Sequence, residues 1–534
     1  MKKTIPILFL FVLLGLALRT YNLNFPSIGY HNMKENENLS VAQEMLRTKD
    51  FMNKRIYFHN AFEGENAGIK AETQLPMIPY HIILSWKLFG ENLWGPRLFN
   101  IIFGLLSVLV MYPVAKTLFK SLYPALFSSY LLAIMPLAVF FSRNLQPESP
   151  AFFFMLLGSL FYIKFLVSFK NYNLILGGLA FSFAWVYKSS FLIGIIPFLF
   201  CIPSLSSYKK KKPVWKYVIT FFLSYIGIPI AIAQIRDIGQ WQWQGFGLPK
   251  GLFDMFSFDY WARNGQMIWW YINKENFTLV FALLALVGML IAIFKKKGLT
   301  ERYIMGWVFT VVIYSIIHSN PLSQENFSQM PFLALICISS TYALLSMSEV
   351  VKRFLQIDVF LALSLVVACA SAPLIYNSLS RLHATAFLGM DVAGESLKEF
   401  TKPEERIFLL THSQGYGIAR YARRYMGWPQ NLEDFKDKEK NFGVRYICFY
   451  PIDFFNALKA KDPALFSYIK NNYHVKEVGL KEEPRQVLYV ILEKGAPSDT
   501  SQEFLTSFSG TMRLRTIYRM FGKLVFLYTL KPQN

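Results

Sequence analysis

Carboxylates and cations at the edges of long apolar segments are the residues of this sequence that could do chemistry. The densest group runs from His31 to Asn38 and holds a histidine, a lysine and two glutamates directly after the first apolar segment. A carboxylate held above an apolar core and beside a cation can act as a general base. Glu35 is the candidate base, with Lys34 and His31 beside it. The same group could instead cap a solvated helix, since Asn and Glu are favourable at a helix N-terminus.

Three further polar residues lie in short connections between apolar segments. Arg143 and Glu148 share one tight connection, and Lys188 ends a later apolar segment. Glu148 could do no more than favour a helix dipole, and a lone lysine can extend its ammonium to lipid head groups. Lys188 could also hold a lipid-linked phosphate as a point charge. His318, in a later connection, could add hydrogen bonds to a site or belong to a plain polar turn.

The composition places these residues in a membrane protein. Of the 534 residues, 54% are apolar and 17% are charged, whereas soluble chains carry about 25% charge. The net charge of +21 does not indicate nucleic-acid binding, because lysine and arginine lie mostly between apolar segments, as the positive-inside rule requires. The four cysteines have no metal-ligand spacing.

Apolar segments of spanning length predict a polytopic α-helical membrane protein with about eleven transmembrane helices. The predicted spans are 4–21, 97–118, 121–141, 150–168, 172–187, 189–204, 216–234, 277–294, 303–318, 328–346 and 357–376. With Lys2 and Lys3 in the cytoplasm, the basic loops alternate as expected through all eleven, which places the tail outside a cell membrane. The first span could be a cleaved signal peptide, but no small-x-small cleavage site follows it.

The remaining segments are predicted to lie outside the cytoplasm. Within 22–96, the amphipathic segments 36–48 and 75–90 are expected on the outer membrane surface. The Trp-rich segment 235–276 is a long outside loop. The transmembrane domain is thus 1–376, and 377–534 is an extracytoplasmic α/β domain.

Alternating strand-like and helix-like segments in the tail predict a partly parallel sheet. The predicted strands are 406–411, 444–450, 487–492 and 524–530, and the predicted helices are 418–426 and 454–473.

The order of these parts resembles the GT-C membrane glycosyltransferases, in the branch of the protein O-mannosyltransferases and the aminoarabinose transferase acting on lipid A. That branch has an Asp-Glu-type motif, a Glu-Met-Leu-like helix end, a Lys-Pro-Pro-Leu-like motif, Leu-Phe-Gly, a second acidic residue and a Thr-Lys-Gly-like turn. The matching positions, within about residues 1–350, are Lys34-Glu35, Glu44-Met45-Leu46, Gln74-Leu75-Pro76-Met77, Leu88-Phe89-Gly90 with Arg97, Glu148, and Tyr187-Lys188-Ser189. The family's Asp falls on Lys34, and its motif Lys falls on Gln74, with Lys70 as a substitute.

The resemblance implies that a sugar moves from a polyprenyl-phosphate donor to a hydroxyl or amine of a glycan, lipid or protein, in one inverting step at the outer face. In that reading Glu35 is the base and Glu148 the second acid, while Lys188, Lys70 and Arg143 meet the donor phosphate. Other expected site residues are Lys34, His31, Gln74 and His318. No cofactor is required, and a divalent metal is left open without a ligand cluster to support it.

Two other classes of function stay open at this point. A secondary transporter or lipid flippase would also span the membrane many times, but such proteins often show internal repeats, which this sequence does not. A non-catalytic membrane scaffold would use the tail to bind a partner. Sugar transfer from a polyprenyl-phosphate donor separates the transferase from both alternatives.

Overall fold

The computed structural model of the chain divides into two compact units. The described residues are 4–70, 75–201, 222, 254–295, 298–411, 414–495 and 510–532. The first unit is Met1–Leu23, Thr73–Ile78 and Trp94–Leu382. The second unit is Asn24–Glu72, Pro79–Leu93 and His383–Asn534. The segment after the first helix therefore groups with the C-terminal part.

The α-helices are α1 (Thr4–Thr20), α2 (Asn32–Thr48), α3 (Met77–Phe89), α4 (Trp94–Phe119), α5 (Leu122–Ile134), α6 (Pro136–Arg143), α7 (Glu148–Ser168), α8 (Asn171–Tyr187), α9 (Pro197–Phe200), α10 (Phe258–Trp270), α11 (Thr278–Phe294), α12 (Leu299–Ile317), α13 (Ser319–Gln324), α14 (Leu333–Leu355), α15 (Phe360–Ala384), α16 (Met390–Phe400), α17 (Gly415–Ala422), α18 (Leu432–Phe442), α19 (Asp453–Lys461) and α20 (Pro463–Asn472). The strands are β1 (Ile407–Leu410), β2 (Met426–Gly427), β3 (Tyr446–Phe449), β4 (Tyr473–Lys481), β5 (Gln486–Lys494), β6 (Gly510–Met520) and β7 (Lys523–Pro532).

The first unit contains the helices that can cross a membrane. Among the described residues, four are long and apolar enough, namely α4, α7, α15 and the continuous segment Asn326–Leu355 that ends in α14. Two bent pairs raise the number to six if each is one span: α5 with α6, bent by 52°, and Phe258–Asn276 with α11, bent by 107°. The predicted count of eleven is therefore not confirmed.

Short or broken helices account for part of the difference. The predicted span 121–141 breaks between Ile134 and Pro136, because proline lacks the N–H that would continue the helix. The predicted span 189–204 begins with a 3₁₀ segment, Ser189–Ile195, followed by only four helical residues. The predicted span 216–234 lies outside the described residues except for Phe222.

Helix ends that are predicted to lie on the same side of the membrane contact each other. At one end, the Thr300 hydroxyl donates to the Leu118 carbonyl at 2.8 Å, and the Lys295 ammonium lies 3.0 Å from the Glu349 carboxylate. These residues belong to loops predicted on the cytoplasmic side. The compartment that each end faces stays a prediction.

The second unit is built on a mixed seven-stranded sheet in the order β2-β1-β3-β5-β4-β7-β6. β1 pairs in parallel with β2 and β3, and the remaining pairs are antiparallel. The four predicted strands are present, and the sheet is partly parallel as predicted. The sequence analysis missed β2, β4 and β6.

One predicted helix of the second unit is wrong. The predicted helix 454–473 is two helices, since Asp462 caps a new one by accepting the Leu465 N–H at 2.9 Å, with Pro463 at its first position. Most residues of α2 are buried, including Glu37 and Glu44, and its position on the outer membrane surface stays a prediction. α3 has 13 residues, and its place on the membrane surface stays a prediction.

Gly288 sets the distance between α11 and α14. A Cβ atom there would lie 1.9 Å from the Ser339 carbonyl oxygen. We expect Gly288→Ala to lower the free energy of unfolding by about 1–3 kcal/mol, because the two helices must move apart. Thermal unfolding in detergent measures the loss. Gly265→Ala is the matched control, since its Cβ meets only Trp261 at 3.4 Å; equal melting temperatures for both variants would contradict the close packing.

Candidate functional site

A buried ion pair joins two helix ends in the first unit. Glu148 is the first residue of α7 and is 2% exposed. Lys188 follows α8, and its Nζ lies 2.5 Å from Glu148 Oε1. The second oxygen of this carboxylate, Oε2, is buried and has no hydrogen-bond partner among the described residues. A further polar group can therefore donate a hydrogen bond to Glu148 Oε2 or accept one from the Lys188 ammonium.

The connection before Glu148 is held by α4. The Asn100 amide donates to the Asn144 carbonyl at 2.5 Å and to the Gln146 carbonyl at 3.0 Å. The Ser149 hydroxyl donates back to the Asn100 carbonyl at 3.1 Å. These bonds fix the start of α7, and with it the position of the Glu148 carboxylate.

Arg143 has a visible structural role in the same connection. Its guanidinium is buried and donates to the carbonyls of Tyr21 at 2.9 Å and Asn22 at 3.2 Å. Arg97 donates to the next carbonyl, that of Leu23, at 2.7 Å. Both arginines thus hold the chain as it leaves α1, and a phosphate-binding role for Arg143 stays a prediction.

Lys188 also contacts the connection that contains His318. Its ammonium lies over the Phe327 ring, 4.4 Å from the centroid. The His318 ring lies against the Tyr314 ring, tilted by 47° with 4.6 Å between the centroids, and the Tyr314 hydroxyl donates to the Ser328 carbonyl at 2.9 Å. Three connections therefore meet around Lys188: the one before Glu148, the one that contains Lys188 and the one from His318 to Phe327. All three are predicted to lie on one side of the membrane.

The second unit holds the other group of predicted site residues. Glu37 Oε1 accepts from Lys70 Nζ at 2.7 Å, and Oε2 accepts from Lys34 Nζ at 3.1 Å. Glu35 is 5% exposed, one turn into α2. His31 precedes the helix in a left-handed conformation, with φ of 57°. Gln74 lies outside the described residues.

Glu35 and Glu148 belong to different compact units. The predicted meeting of the two acids, and the roles assigned to all of these residues, stay predictions. The structure does bring together Lys188 with Glu148, and Lys34 with Lys70 through Glu37.

Two acids of interest were not predicted as site residues. Glu37 carries the Lys34 and Lys70 pairs, and its position two residues after Glu35 was the available signal. Glu275 is buried at the bend before α11 and accepts from the Asn326 amide at 2.8 Å and from the Trp270 indole at 3.1 Å. Its position at the edge of a predicted span could have identified it.

Comparisons with known proteins bear on this geometry. A family model described as dolichyl-phosphate-mannose-protein mannosyltransferase matches residues 73–232, a segment that contains Glu148 and Lys188. An uncharacterized protein of Aquifex aeolicus (strain VF5) is 27% identical over 181 residues, which is 34% of this chain and 34% of that protein. The match thus spans about a third of the relative's length.

Solved structures match over most of the chain. The oligosaccharyltransferase AglB of Archaeoglobus fulgidus, in complex with an inhibitory peptide and a dolichol-phosphate, gives a TM-score of 0.54 at 14% identity, covering 96% of this chain and 79% of AglB. ArnT from Cupriavidus metallidurans, bound to undecaprenyl phosphate, gives 0.51 at 14% identity, covering 90% of this chain and 97% of ArnT. This chain has the GT-C glycosyltransferase fold.

An apolar cavity lies among the helices of the first unit. It has a volume of about 410 Å³ and is lined by Trp261, Trp269, Phe277, Ala282, Leu286 and Gln329, among others. Gln329 also accepts from the Asn276 amide at 3.0 Å, next to the buried Glu275. The cavity therefore reaches from apolar helix surfaces to a polar group at the bend before α11.

Metal ligation has no support among the residues that the structure describes. No group of three or more His, Cys, Asp or Glu side chains is placed there to hold an ion.

A double-mutant cycle can test the interaction between Glu148 and Lys188 in the first unit. We expect Lys188→Met to cost about 3–5 kcal/mol of unfolding free energy, because it leaves a buried carboxylate without its cation. Glu148→Gln/Lys188→Met should cost much less, since it removes both charges. Thermal unfolding of the two single variants and the double variant measures the coupling. Single-variant losses that simply add in the double variant would show that the two side chains do not interact.

Proposed function

We propose that this chain is a membrane glycosyltransferase that moves a sugar from a polyprenyl-phosphate donor to an acceptor hydroxyl or amine. The observation that carries the proposal is the buried Glu148–Lys188 pair, at helix ends of a unit with the GT-C fold. Ionisable side chains are costly inside membrane helices and mark functional sites when they occur there. The solved relatives AglB and ArnT, which hold dolichol-phosphate and undecaprenyl phosphate, support a lipid-linked donor.

The reaction that we propose is a single inverting displacement at the non-cytoplasmic face. The Glu35 carboxylate accepts the proton of the acceptor hydroxyl or amine while that atom attacks the anomeric carbon. The bond between the anomeric carbon and the phosphate oxygen breaks, and the electron pair leaves with polyprenyl phosphate. Attack opposite the leaving group inverts the configuration at the anomeric carbon.

Lysines are the groups that we assign to the leaving phosphate. Among the described residues, Glu148 is the one carboxylate paired with Lys188, so the ammonium can donate to a phosphate oxygen as well. Lys70 is held in place by Glu37. A preorganised cation stabilises the charge that develops on the phosphate in the transition state.

The base assignment favours Glu35 over Glu37. Both oxygens of Glu37 are engaged by lysine ammoniums, so we assign Glu37 to positioning Lys34 and Lys70. Two residues along an α-helix turn by about 200°, so the two glutamates leave α2 on opposite sides. One carboxylate can then face the acceptor while the other holds the cations.

Replacing Glu35 with Gln tests the base directly. We expect Glu35→Gln to slow transfer from a synthetic polyprenyl-phosphate sugar by about 100-fold or more, the usual share of a general base. The assay uses the full chain in lipid nanodiscs and follows labelled sugar. Glu63→Gln, at an exposed position, is the control. Transfer by Glu35→Gln at the wild-type rate would remove Glu35 from the reaction.

We assign the polyprenyl chain of the donor to the apolar cavity of the first unit. Ala282→Phe would fill part of that cavity. We expect it to raise the KM for the lipid donor by about tenfold, because about two carbon groups of the polyprenyl chain would lose their apolar contacts. The rate at saturating donor should change little.

Leu283→Phe is the control for this measurement, because Leu283 is exposed on the same helix and does not line the cavity. Equal KM values for the two phenylalanine variants would place the lipid chain elsewhere.

A further inference from the structure

A second cavity, of about 750 Å³, lies entirely within the second unit. Its walls come from the C-terminal turn of α2, the segment around Arg55 and Tyr57, the end of α3, and the residues that flank β1 and follow α17. Cavities of this size hold small organic ligands rather than single ions.

The walls of this cavity are strongly basic. Six basic side chains line it against three acidic ones. The basic residues are Arg47, Arg55, Lys398, Arg406, Arg423 and Arg424, and the acidic residues are Glu65, Glu91 and Glu404. A concave wall with an excess of one charge concentrates ligands of the opposite charge.

Several of these cations already have partners. Arg47 forms two hydrogen bonds to Glu44, at 2.7 and 2.6 Å, and Arg423 pairs with Glu91. Arg424 donates to the Thr401 carbonyl at 2.7 Å. Arg55 also donates, to the Glu65 carbonyl at 2.7 Å and to the Ala67 carbonyl at 3.2 Å. These arginines build the wall, and Arg406 and Lys398 are the lining cations with the fewest partners among the described residues.

Arg406 is one of the cations of this wall that form no ion pair with a described carboxylate, and it has fewer partners than Arg424 or Arg55. Within the described part of the chain it has no ion pair, and its Nε is buried without a hydrogen-bond partner. Its guanidinium lies over the Tyr425 ring, 4.6 Å from the centroid, and the Tyr425 hydroxyl is in turn engaged by Glu44 at 2.5 Å. The guanidinium is thus fixed in orientation, and its two terminal nitrogens are the donors left for a ligand.

The electrostatic environment of Arg406 also favours an added anion. Burial lowers the pKa of the Arg406 guanidinium, and the positive charge of Arg47 adds to this, while Tyr425 and the Glu44 carboxylate partly offset it. Burial likewise lowers the pKa of Arg424, with a small contribution from Arg423, and Tyr57, Glu404 and Glu405 partly offset it. A bound anion would oppose both effects, because it stabilises the charged form of each guanidinium.

We propose that this cavity binds a phosphate group carried by a sugar, with Arg406 as its central ligand and Lys398 and Arg55 beside it. A planar guanidinium suits bidentate contact with phosphate oxygens, and the remaining volume, bordered by Tyr57 and Trp86, accommodates the sugar ring. The polar wall does not suit a lipid chain, which needs a continuous apolar surface.

The position of the cavity suggests which molecule brings the phosphate, and this step rests on the proposed function. Glu35 and Arg47 are on the same helix, α2, and twelve residues of α-helix span about 18 Å. A glycan acceptor several sugars long reaches from one to the other. The cavity would then select acceptors that carry a phosphate at some distance from the reacting group.

Calorimetric titration of the full chain in nanodiscs tests the site without requiring transfer. The probes are glucose 6-phosphate, inorganic phosphate, glucose and a short-chain phosphatidic acid. We expect glucose 6-phosphate to bind at one site per chain, more tightly than inorganic phosphate, and glucose to show no binding. Arg406→Gln should weaken glucose 6-phosphate binding by about tenfold or more, since it removes a charge-assisted contact.

Arg513→Gln is the matched control, because it removes the same charge at an exposed position on β6 outside the cavity. Unchanged affinity in Arg406→Gln, equal losses in Arg406→Gln and Arg513→Gln, or a preference for phosphatidic acid would each overturn the proposal.

Lys398→Gln is a second test of the cavity for the case in which Arg406→Gln does not fold. Lys398 is exposed, so we expect its replacement to leave folding unchanged. If Arg406→Gln does not fold, wild-type affinity in Lys398→Gln counts against the site. A chain that binds glucose 6-phosphate through Arg406 but transfers no sugar contradicts only the proposed function.

Discussion

The ion pair between Glu148 and Lys188 determines how the start of α7 and the end of α8 are arranged in the first unit. A carboxylate that is 2% exposed is costly to ionise unless a cation lies beside it. The pair therefore forms only when α7 begins at the level where α8 ends and the connection before Glu148 is held by Asn100. A chain that must bind a charged head group at the edge of an apolar region needs such fixed charges there, because flexible ones would pair with water instead.

The second unit also contains buried carboxylates, and several of them lie on one helix. Its helix α2 has a polar sequence, yet most of its residues are buried. Two of the buried carboxylates on this helix are paired with cations, since Glu37 is held by two lysines and Glu44 by Arg47, with a further hydrogen bond from Tyr425. Burial acts to raise the pKa of the Glu44 carboxyl, but the hydrogen bonds from Arg47 and Tyr425 outweigh it and leave the pKa below its ordinary value. A polar helix of this kind can present Glu35 on one side while its other sides hold the unit together.

Sequence reasoning recovered the features that depend on local pattern. Apolar segments predicted most helices of the first unit, and β-branched and aromatic runs predicted β1, β3, β5 and β7. Breaks that depend on one proline, at Pro136 and Pro463, were missed because the apolar pattern continues across them. β6 was missed because its core-facing and exposed residues include several arginines, which obscure the alternation.

The candidate site could be anticipated only in part. Glu148 and Lys188 are 40 residues apart, so no local spacing predicts their contact. Each residue was predicted separately, from its position at the edge of an apolar segment and from the resemblance to a family. The contacts of Arg143 with two backbone carbonyls depend on where the chain leaves α1, which no pattern in the sequence reveals. The pairing of Lys70 with Glu37 likewise follows from the fold of the segment between α2 and α3.

In the reaction that we propose, Glu35 and the Glu148–Lys188 pair act together at one face of the membrane. The most direct measurement is labelling of single cysteines in intact cells with a membrane-impermeant maleimide, in a chain whose four native cysteines are replaced by alanine. Lys34→Cys, next to Glu35, and Glu325→Cys, in the connection that contacts Lys188, should label from outside, whereas Lys120→Cys should label only after permeabilisation. Labelling of Lys34→Cys and Glu325→Cys from opposite sides would contradict the account.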